Sequence, residues 1–452
     1  MMKQYDSYKD SGVEWIGKIP SHWEVCRLKN YCSLSGRIGW NGLRSEEFQQ
    51  ESYAYLVTGQ DFIKADIDWE SCYQIDKDRY DEDPFIQLKN GDLLITKDGT
   101  IGKIAKVSGL DKPACLNSGI FVMKQKKDVF AQNYLYWMLV SSLLKDYNTY
   151  TSSGTTILHL YQNVFEKMPM VVPLFDEQEA IANYLDKKCG EIDKAVATQE
   201  KRVELLKELR QNIITQAVTR GINPNAPLKD SGVEWIGEVP EHWEVCRIKN
   251  ILKQGVDSIK IGPFGSSLTG KVGADLEYKV YGQWNIVGAD FNAGTNTVNK
   301  ETFDELSKSY KVVSGDILVS MMGTIGKCAV IPEGIQEGIM DSHVVKIRLN
   351  DSIMKGPYFE YIYDKDMSNV IFNQLQKMKG GSIMDGLNST IIKSLTILVP
   401  PLSEQQEIVS YIESQTARLD KSIEKAEHQI ELLQELKQSI ITEVVTGKRK
   451  VD

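Results

Sequence analysis

The 452-residue sequence predicts an α+β protein: two mixed α/β globular domains in a tandem, pseudo-two-fold arrangement, separated by two long antiparallel helices that form a coiled coil. Three observations lead there. The chain repeats itself at long range, each repeat changes its hydrophobic periodicity part-way along, and the helical parts carry a heptad stripe.

Self-comparison sets the domain count before any helix is assigned. Lys9 to Asn30 reads KDSGVEWIGKIPSHWEVCRLKN and Lys229 to Asn250 reads KDSGVEWIGEVPEHWEVCRIKN, with four differences, at Lys18/Glu238, Ile19/Val239, Ser21/Glu241 and Leu28/Ile248. A second block pairs GDLLITKDGTIGK, Gly91 to Lys103, with GDILVSMMGTIGK, Gly315 to Lys327. A third pairs VPLFDEQEAIANYLD, from Val172, with VPPLSEQQEIVSYIE, from Val399, and runs on through LLKELRQNIIT and LLQELKQSIIT. The blocks keep their order, so the chain holds two units rather than three unrelated domains.

The front of each unit has short β-rich runs such as GDLLIT, GIFVM, GDILVS and HVVKIRL, broken by Gly, Asn and Asp, together with helical stretches such as QNYLYWMLVSSLLK. A mixed α/β domain is expected over 1–175 and again over 222–402. The back parts, 176–221 and 403–452, are expected as helical spacers, rich in Glu, Lys, Gln and Leu; Asp176 to Gly221 and Ser403 to Gly447 contain no proline.

In the first spacer Ile192, Val196, Val203, Leu206, Ile213 and Ala217 fall on alternating steps of three and four, with Gln199 and Arg210 in the remaining seam slots. The second repeats the frame with Leu419, Ile423, Ala426, Ile430, Leu433, Lys437, Ile440 and Val444. Leu205, Leu209, Leu432 and Leu436 are expected to widen the buried stripe. Each helix is the other's nearest candidate partner, and two tandem copies related by a pseudo-two-fold would pair antiparallel. Arg210 and Lys437 occupy equivalent slots, which suggests a role in register. A helix over 192–220 would be about 43 Å long, more than one DNA turn of about 34 Å.

Composition narrows the class. Hydrophobic residues at 42% and charged residues at 25% describe a soluble globular chain. No apolar run reaches the roughly 18 residues of a membrane span, and the opening MMKQYDSYKD has no signal-peptide core. A cytoplasmic protein without membrane contact is expected. Seven scattered cysteines without a CxxC argue against a disulfide framework and against zinc, so they are read as reduced, mostly structural thiols. The net charge of -9 disfavours nonspecific coating of nucleic acid.

Catalytic signatures are largely missing. GTIGK has neither the leading Gly nor the trailing Ser/Thr of a phosphate loop, and the five histidines show no metal-ligand spacing. Asp83-Pro84-Phe85 is one proline short of an amino-methyltransferase loop, and no FxGxG accompanies it. No clustered nuclease carboxylates stand out. A noncatalytic reader or scaffold is expected. Trp15, Trp23, Trp235 and Trp243 of the WIG…P.HWE blocks are either platforms for bases or buried anchors; anchors are favoured, because indole buries a large area and the block is kept in both halves.

Between the blocks the halves diverge, Tyr31 to Asn90 bearing little likeness to Ile251 to Ser314. A chain that keeps its frame and varies what the frame displays presents two different surfaces. Glycine-rich polar loops occupy these places: SGRIGWNGL, KDGTIGK and TSSGTTILHL in the first half, GPFGSSLTGK, MMGTIGK and KMKGGSIMDGL in the second. Such loops are either plain turns or sites where backbone and lysines approach phosphates and polar side chains reach base edges. Candidate DNA contacts are Arg37, Lys97, Thr100, Lys103, Ser153, Thr155, Ser266, Ser267, Thr324, Lys327, Lys379 and Ser382.

The doubled KDSGVEWIG…P.HWEV.R.KN opening, the GTIGK loops, the SSGTT and KGGS segments leading into P-L-x-x-x-E/Q-Q and the two Leu/Glu/Lys-rich helices together resemble the specificity subunit of a type I restriction-modification system, over essentially the whole chain. The resemblance implies two target-recognition domains, each reading half of a bipartite asymmetric site in double-stranded DNA, with helix length setting the gap. It implies two modification subunits that methylate adenine with S-adenosylmethionine, and restriction subunits that use ATP and magnesium; no cofactor is expected on this chain itself. A paired-domain protein-interaction adaptor is the alternative of a different class.

Overall fold

A computed structural model describes residues 4–37, 43–151, 159–255, 257–323, 325–364, 366–378 and 387–451. The chain forms two compact units, one of residues 1–199 with 428–452 and one of residues 200–427. The two helical spacers are therefore not bodies of their own: each contributes one part to the first unit and one to the second. The first long helix runs Phe175–Arg220 and the second Leu402–Val445, both starting well before their heptad stripes.

Each unit is built the same way. In the first, a four-stranded antiparallel sheet has the order Ile104–Lys106, Leu93–Thr96, Ile120–Gln125, Cys32–Ser35. In the second, Cys328–Val330, Ile317–Ser320, Val344–Ile347 and Ile259–Ile261 follow in the matching order. A second sheet, three-stranded in the first unit and four-stranded in the second, carries one parallel pair in each, Ala114–Leu116 with Ala54–Val57 and Gly338–Met340 with Tyr278–Tyr281. Strands Leu93–Thr96 and Ile317–Ser320 are buried throughout, as expected of apolar runs covered on both faces.

The repeated opening block closes each unit onto its long helices. Glu24–Arg27 pairs with Pro169–Val172 just before the first long helix, and Glu244–Arg247 pairs with Thr396–Val399 before the second. Trp23 and Trp243 are fully buried, and the neighbouring His22 and His242 bond Glu177 and Glu404 in the first turn of the helices. These two tryptophans are anchors. Trp15 and Trp235 are half-buried, Trp15 against Tyr150 at 4.6 Å and Trp235 under the Lys377 ammonium at 4.8 Å.

The far ends of the helices complete the cores. Gly447, at φ 70°, lies so close to Pro20 and Trp23 that a Cβ would stand 2.3 Å from Pro20 Cδ; Gly221, at φ 72°, lies against Trp243 less tightly, a Cβ there standing 3.3 Å from the ring. Both are left-handed helix-ending positions where glycine carries no Cβ penalty. The Tyr134 hydroxyl donates to the Val171 carbonyl at 3.0 Å, with the Val445 carbonyl as the alternative acceptor at 3.3 Å, and the Tyr358 hydroxyl donates to the Val218 carbonyl.

The heptad positions are covered to different degrees, and at the helix ends the neighbouring Ile214, Val218, Ile441 and Val445 are buried more completely. Ile192, Val203, Ile423, Ala426, Ile440 and Val444 are buried, and Val196, Leu206, Ile213, Leu419, Ile430 and Leu433 are half-buried. The polar slots hold cross-helix ion pairs. In the second unit Arg210 Nε donates to Asp420 Oδ1 at 2.8 Å and Lys207 to Glu427 at 2.8 Å, a pairing that runs antiparallel. In the first, Lys437 Nζ donates to both Asp193 oxygens, at 2.7 and 2.8 Å. The expected widening of the stripe does not occur: Leu205, Leu209, Leu432 and Leu436 are about half exposed. A two-helix seam covers only the a/d positions, and these leucines stand beside it.

All seven cysteines are free, five of them buried. Burial pushes the Cys115 and Cys189 thiols up to about 11, so they stay protonated and unreactive near neutral pH. No described helix is long and apolar enough to cross a membrane, and no cluster of His, Cys, Asp or Glu among the described residues could hold a metal ion.

Candidate nucleic-acid interface

The GTIGK blocks form hairpin tips whose geometry explains their glycines. Gly99 and Gly102 have φ of 67° and 83°, and Gly323 and Gly326 have 66° and 92°. All four lie in the left-handed region that side chains with a Cβ seldom adopt. The tips close alike, Thr96 N–H donating to Lys103 O at 3.0 Å and Ser320 N–H to Lys327 O at 3.0 Å.

Two further segments are tied to each tip by matched backbone bonds. Lys97 N–H donates to Gly119 O at 2.9 Å and Met321 N–H to His343 O at 3.1 Å. Leu160 N–H then donates to Lys97 O at 2.9 Å and Leu387 N–H to Met321 O at 3.0 Å. The turns at 117–119 and 341–343 share a local device as well: Asn117 Oδ1 accepts from Ser118 N–H and Asp341 Oδ1 from Ser342 N–H. Three segments distant in sequence thus meet at one edge of each unit, held by the same bonds twice.

What the edges display differs. In the first unit Lys97 Nζ and His159 Nδ1 both bond the Asp98 carboxylate. Burial alone would raise that carboxyl, but the hydrogen bonds from His159 and Lys97 outweigh it and hold it below its ordinary value. In the second unit the corresponding tip carries Met321 and Met322.

The two GTIGK lysines also part ways. Lys103 is exposed, forms no ion pair among the described residues, and faces a groove of about 1260 Å³ shared with Lys64, Lys106, Lys145 and Lys437. Two of the groove's carboxylates are engaged internally, Asp186 by Trp137 and Asn133, and Asp193 by Lys437. Lys327, by contrast, is 13% exposed and bonds Asp364 and Asp366, each at 3.0 Å. Asp364 is 1% exposed and also accepts from Cys328 N–H. Desolvation works against the Lys327 charge, but Asp366 and Asp364 outweigh it and hold its pKa above the usual value. Beside them, burial pushes the Glu360 carboxyl up to about 7.

The other sequence candidates divide. Thr100 is exposed at the first tip, and Ser266 and Ser267, exposed and half-buried, sit in the short helix Gly265–Leu268. Arg37 is 3% exposed: its Nε donates to Leu116 O at 3.0 Å and its Nη2 to Cys115 Sγ at 3.5 Å, so its head is used inside the unit. The reason lies one residue earlier, where a Cβ on Gly36 would stand 2.9 Å from the Phe121 ring; the chain hugs the sheet and Arg37 folds beneath it. Ser153, Thr155, Thr324, Lys379 and Ser382 lie outside the described residues. Sequence reasoning missed Asp98, His159, Asp364 and Asp366, whose roles arise only from contacts across the fold.

A doubled α/β unit on shared helices, with one loop frame displaying two residue sets, defines a tandem reader. Residues 20–206 and 240–432 match the family described as the type I restriction modification DNA specificity domain, and the chain belongs to that family. It is similar to the type I restriction enzyme MjaVIII specificity subunit of Methanocaldococcus jannaschii, 22% identical over 96% of this chain and 94% of the relative. It is similar also to the EcoKI specificity subunit of Escherichia coli, 21% identical over 96% of this chain and 90% of that one. Among solved structures, a chain from work on complex assembly and conformational transition of the type I R-M system shares the fold, with a TM-score of 0.68, 16% identity and coverage of 94% of this chain and 98% of that one.

Proposed function

We propose that this chain is the noncatalytic DNA-specificity subunit of a type I restriction-modification complex, each globular part reading one half of a bipartite, asymmetric target. One observation carries the reading: the bonds that assemble the tip, the turn and the post-loop segment are the same in both units, while the displayed residues are Lys97, Asp98 and His159 in one and Met321 and Met322 in the other. A frame kept constant with its display varied is what two different half-sites require.

The long helices would set the gap between the half-sites and dock two modification subunits. Support comes from Leu205, Leu209, Leu432 and Leu436, four half-exposed leucines at equivalent places on the two helices, which stay apolar without covering the seam. Methylation with S-adenosylmethionine, and ATP- and magnesium-dependent translocation and cleavage by restriction subunits, would belong to the partners. The net charge of -9 fits a subunit that positions DNA within a complex rather than gripping it alone.

Footprinting of the complex with its modification subunits tests this. Two protected segments about a helical turn apart are expected, with affinity falling steeply with salt, and a seven-residue insertion into the helices should widen the gap without changing either half. A complex that protects no sequence selectively would leave the protein-adaptor reading in its place.

A further inference from the structure

The second unit presents a large aromatic ring, more exposed than Trp284, to solvent at the margin of its candidate reading edge. Phe264 is 86% exposed, in a loop otherwise built mainly of glycine and hydroxyl residues, GPFGSSLTGK. The ring does not ride on a loose tip. Gly262 N–H donates to Val344 O at 2.9 Å, and a Cβ on Gly262 would stand 1.9 Å from Asp341 O, so the loop lies flush on the Asp341–His343 turn. Pro263 is buried, and the Phe264 carbonyl accepts from Ser267 N–H at 2.8 Å. Backbone on both sides of the ring is therefore fixed, and little ordering is left for a binding event to supply.

Bonded to the same turn is the hairpin tip. Met321 N–H bonds His343 O, and the next residue, Met322, is 45% exposed. Two exposed apolar side chains thus come from segments that are both tied to the 341–344 stretch. In the first unit the segment after the edge strand starts differently: Gly36 fits against Ile120 and Phe121, Arg37 is folded inward, and the tip carries the Lys97, Asp98 and His159 cluster, while the residues that would match Phe264 lie outside the described ones.

We propose that Phe264, with Met322 on the adjoining tip, is the apolar reader of a thymine 5-methyl group in the major groove of the half-site bound by the second unit. The proposal rests on the DNA-reading function proposed above. Among the four bases only thymine shows a methyl in the major groove, and apolar side chains distinguish it where hydrogen-bonding groups do not. A ring left in water gains most when it is covered by another apolar group, and the surrounding glycines and serines let the loop approach closely.

The test uses the full chain in complex with its modification subunits, on duplexes carrying its target. Each thymine of the second half-site is replaced in turn by uracil, which lacks only the methyl. The proposal expects one position where uracil weakens wild-type binding about fourfold, the factor that burial of one methyl is worth. At that position F264A should bind thymine and uracil duplexes equally, F264L should keep most of the discrimination, and replacements in the first half-site should affect wild type and F264A alike. Equal wild-type affinity for thymine and uracil at every second-half position overturns the proposal and leaves the two-edge reading standing. Loss of all sequence selectivity in the wild-type complex overturns both. If F264A weakens assembly with the modification subunits yet keeps the discrimination, the ring serves a protein contact and the proposal falls.

Discussion

Lys103 and Lys327 close the same hairpin tip in the two units, with the same backbone bond and the same pair of left-handed glycines, yet one faces a groove and the other is locked inside. The difference arises from another element. Asp364 follows Lys327 by 37 residues, and the residue at that distance from Lys103 is Val140. The comparison teaches that a repeated motif fixes a backbone path, while the duty of its side chains is set by what the neighbouring helix brings to them. Lys103 stays exposed, without an ion pair among the described residues; Lys327 neutralises a buried carboxylate.

Removing the buried lysine should cost the protein most. K327A leaves Asp364 buried without its cation and should destabilise the second unit by about 3 kcal/mol, read as a fall in the denaturation midpoint. K103A should alter stability by less than about 0.5 kcal/mol and instead reduce the salt dependence of DNA binding by about one phosphate contact. Equal stability losses in the two variants would remove the distinction.

A pH titration sharpens the same site. Burial raises the Glu360 carboxyl from 4.5 to about 7, with Lys327 and Asp364 as its charged neighbours. The folded state therefore holds this proton more tightly than the unfolded chain. The stability it contributes is complete below about pH 4.5 and is lost as the pH rises through 7, a change of up to about 3 kcal/mol. E360Q should lose that dependence, so its stability relative to wild type should increase between pH 5 and 8; parallel profiles would contradict the assignment.

The smallest effect is expected at the helix seam. Arg210 and Lys437 are equivalent residues that each bond an aspartate, Asp420 and Asp193, and all four side chains keep substantial solvent exposure. Pairs of this kind contribute about 0–1 kcal/mol, so their value lies in register rather than stability. The double variant R210L/K437L should be slightly more stable and should tolerate mispairing of the helices. Unchanged register in a crystal structure of the variant would sink the idea.

Much of the fold was legible in the sequence because its cues are local or periodic. The three repeated blocks set the number of units, the tryptophan blocks marked where each unit closes, and the heptads picked out Ile192, Ile423 and Ile440, which are buried. The glycines of GTIGK marked the tips. Less of the site was legible, because exposure depends on contacts distant in sequence. Arg37 looked like a base reader, but the close approach of Gly36 to the sheet turns it inward. Asp364 has no counterpart in the repeat, so nothing in the pattern tied it to Lys327. Leu205 and Leu436 sit one step beside the seam, where their apolar character reads as a wider stripe but a two-helix seam, covering only a/d positions, leaves them open. Phe264 stood in plain view as a lone aromatic in a polar loop, and only its rigid exposure gives it meaning.

The central claim is that one frame, used twice, reads two different half-sites independently. Replacing residues 31–170 with the matching segment of another specificity subunit, then sequencing the methylated sites in a host carrying the modification subunits, tests it most directly. One half of the methylated sequence is expected to change while the other half and the gap stay as they were. A change in both halves, or in neither, would contradict it.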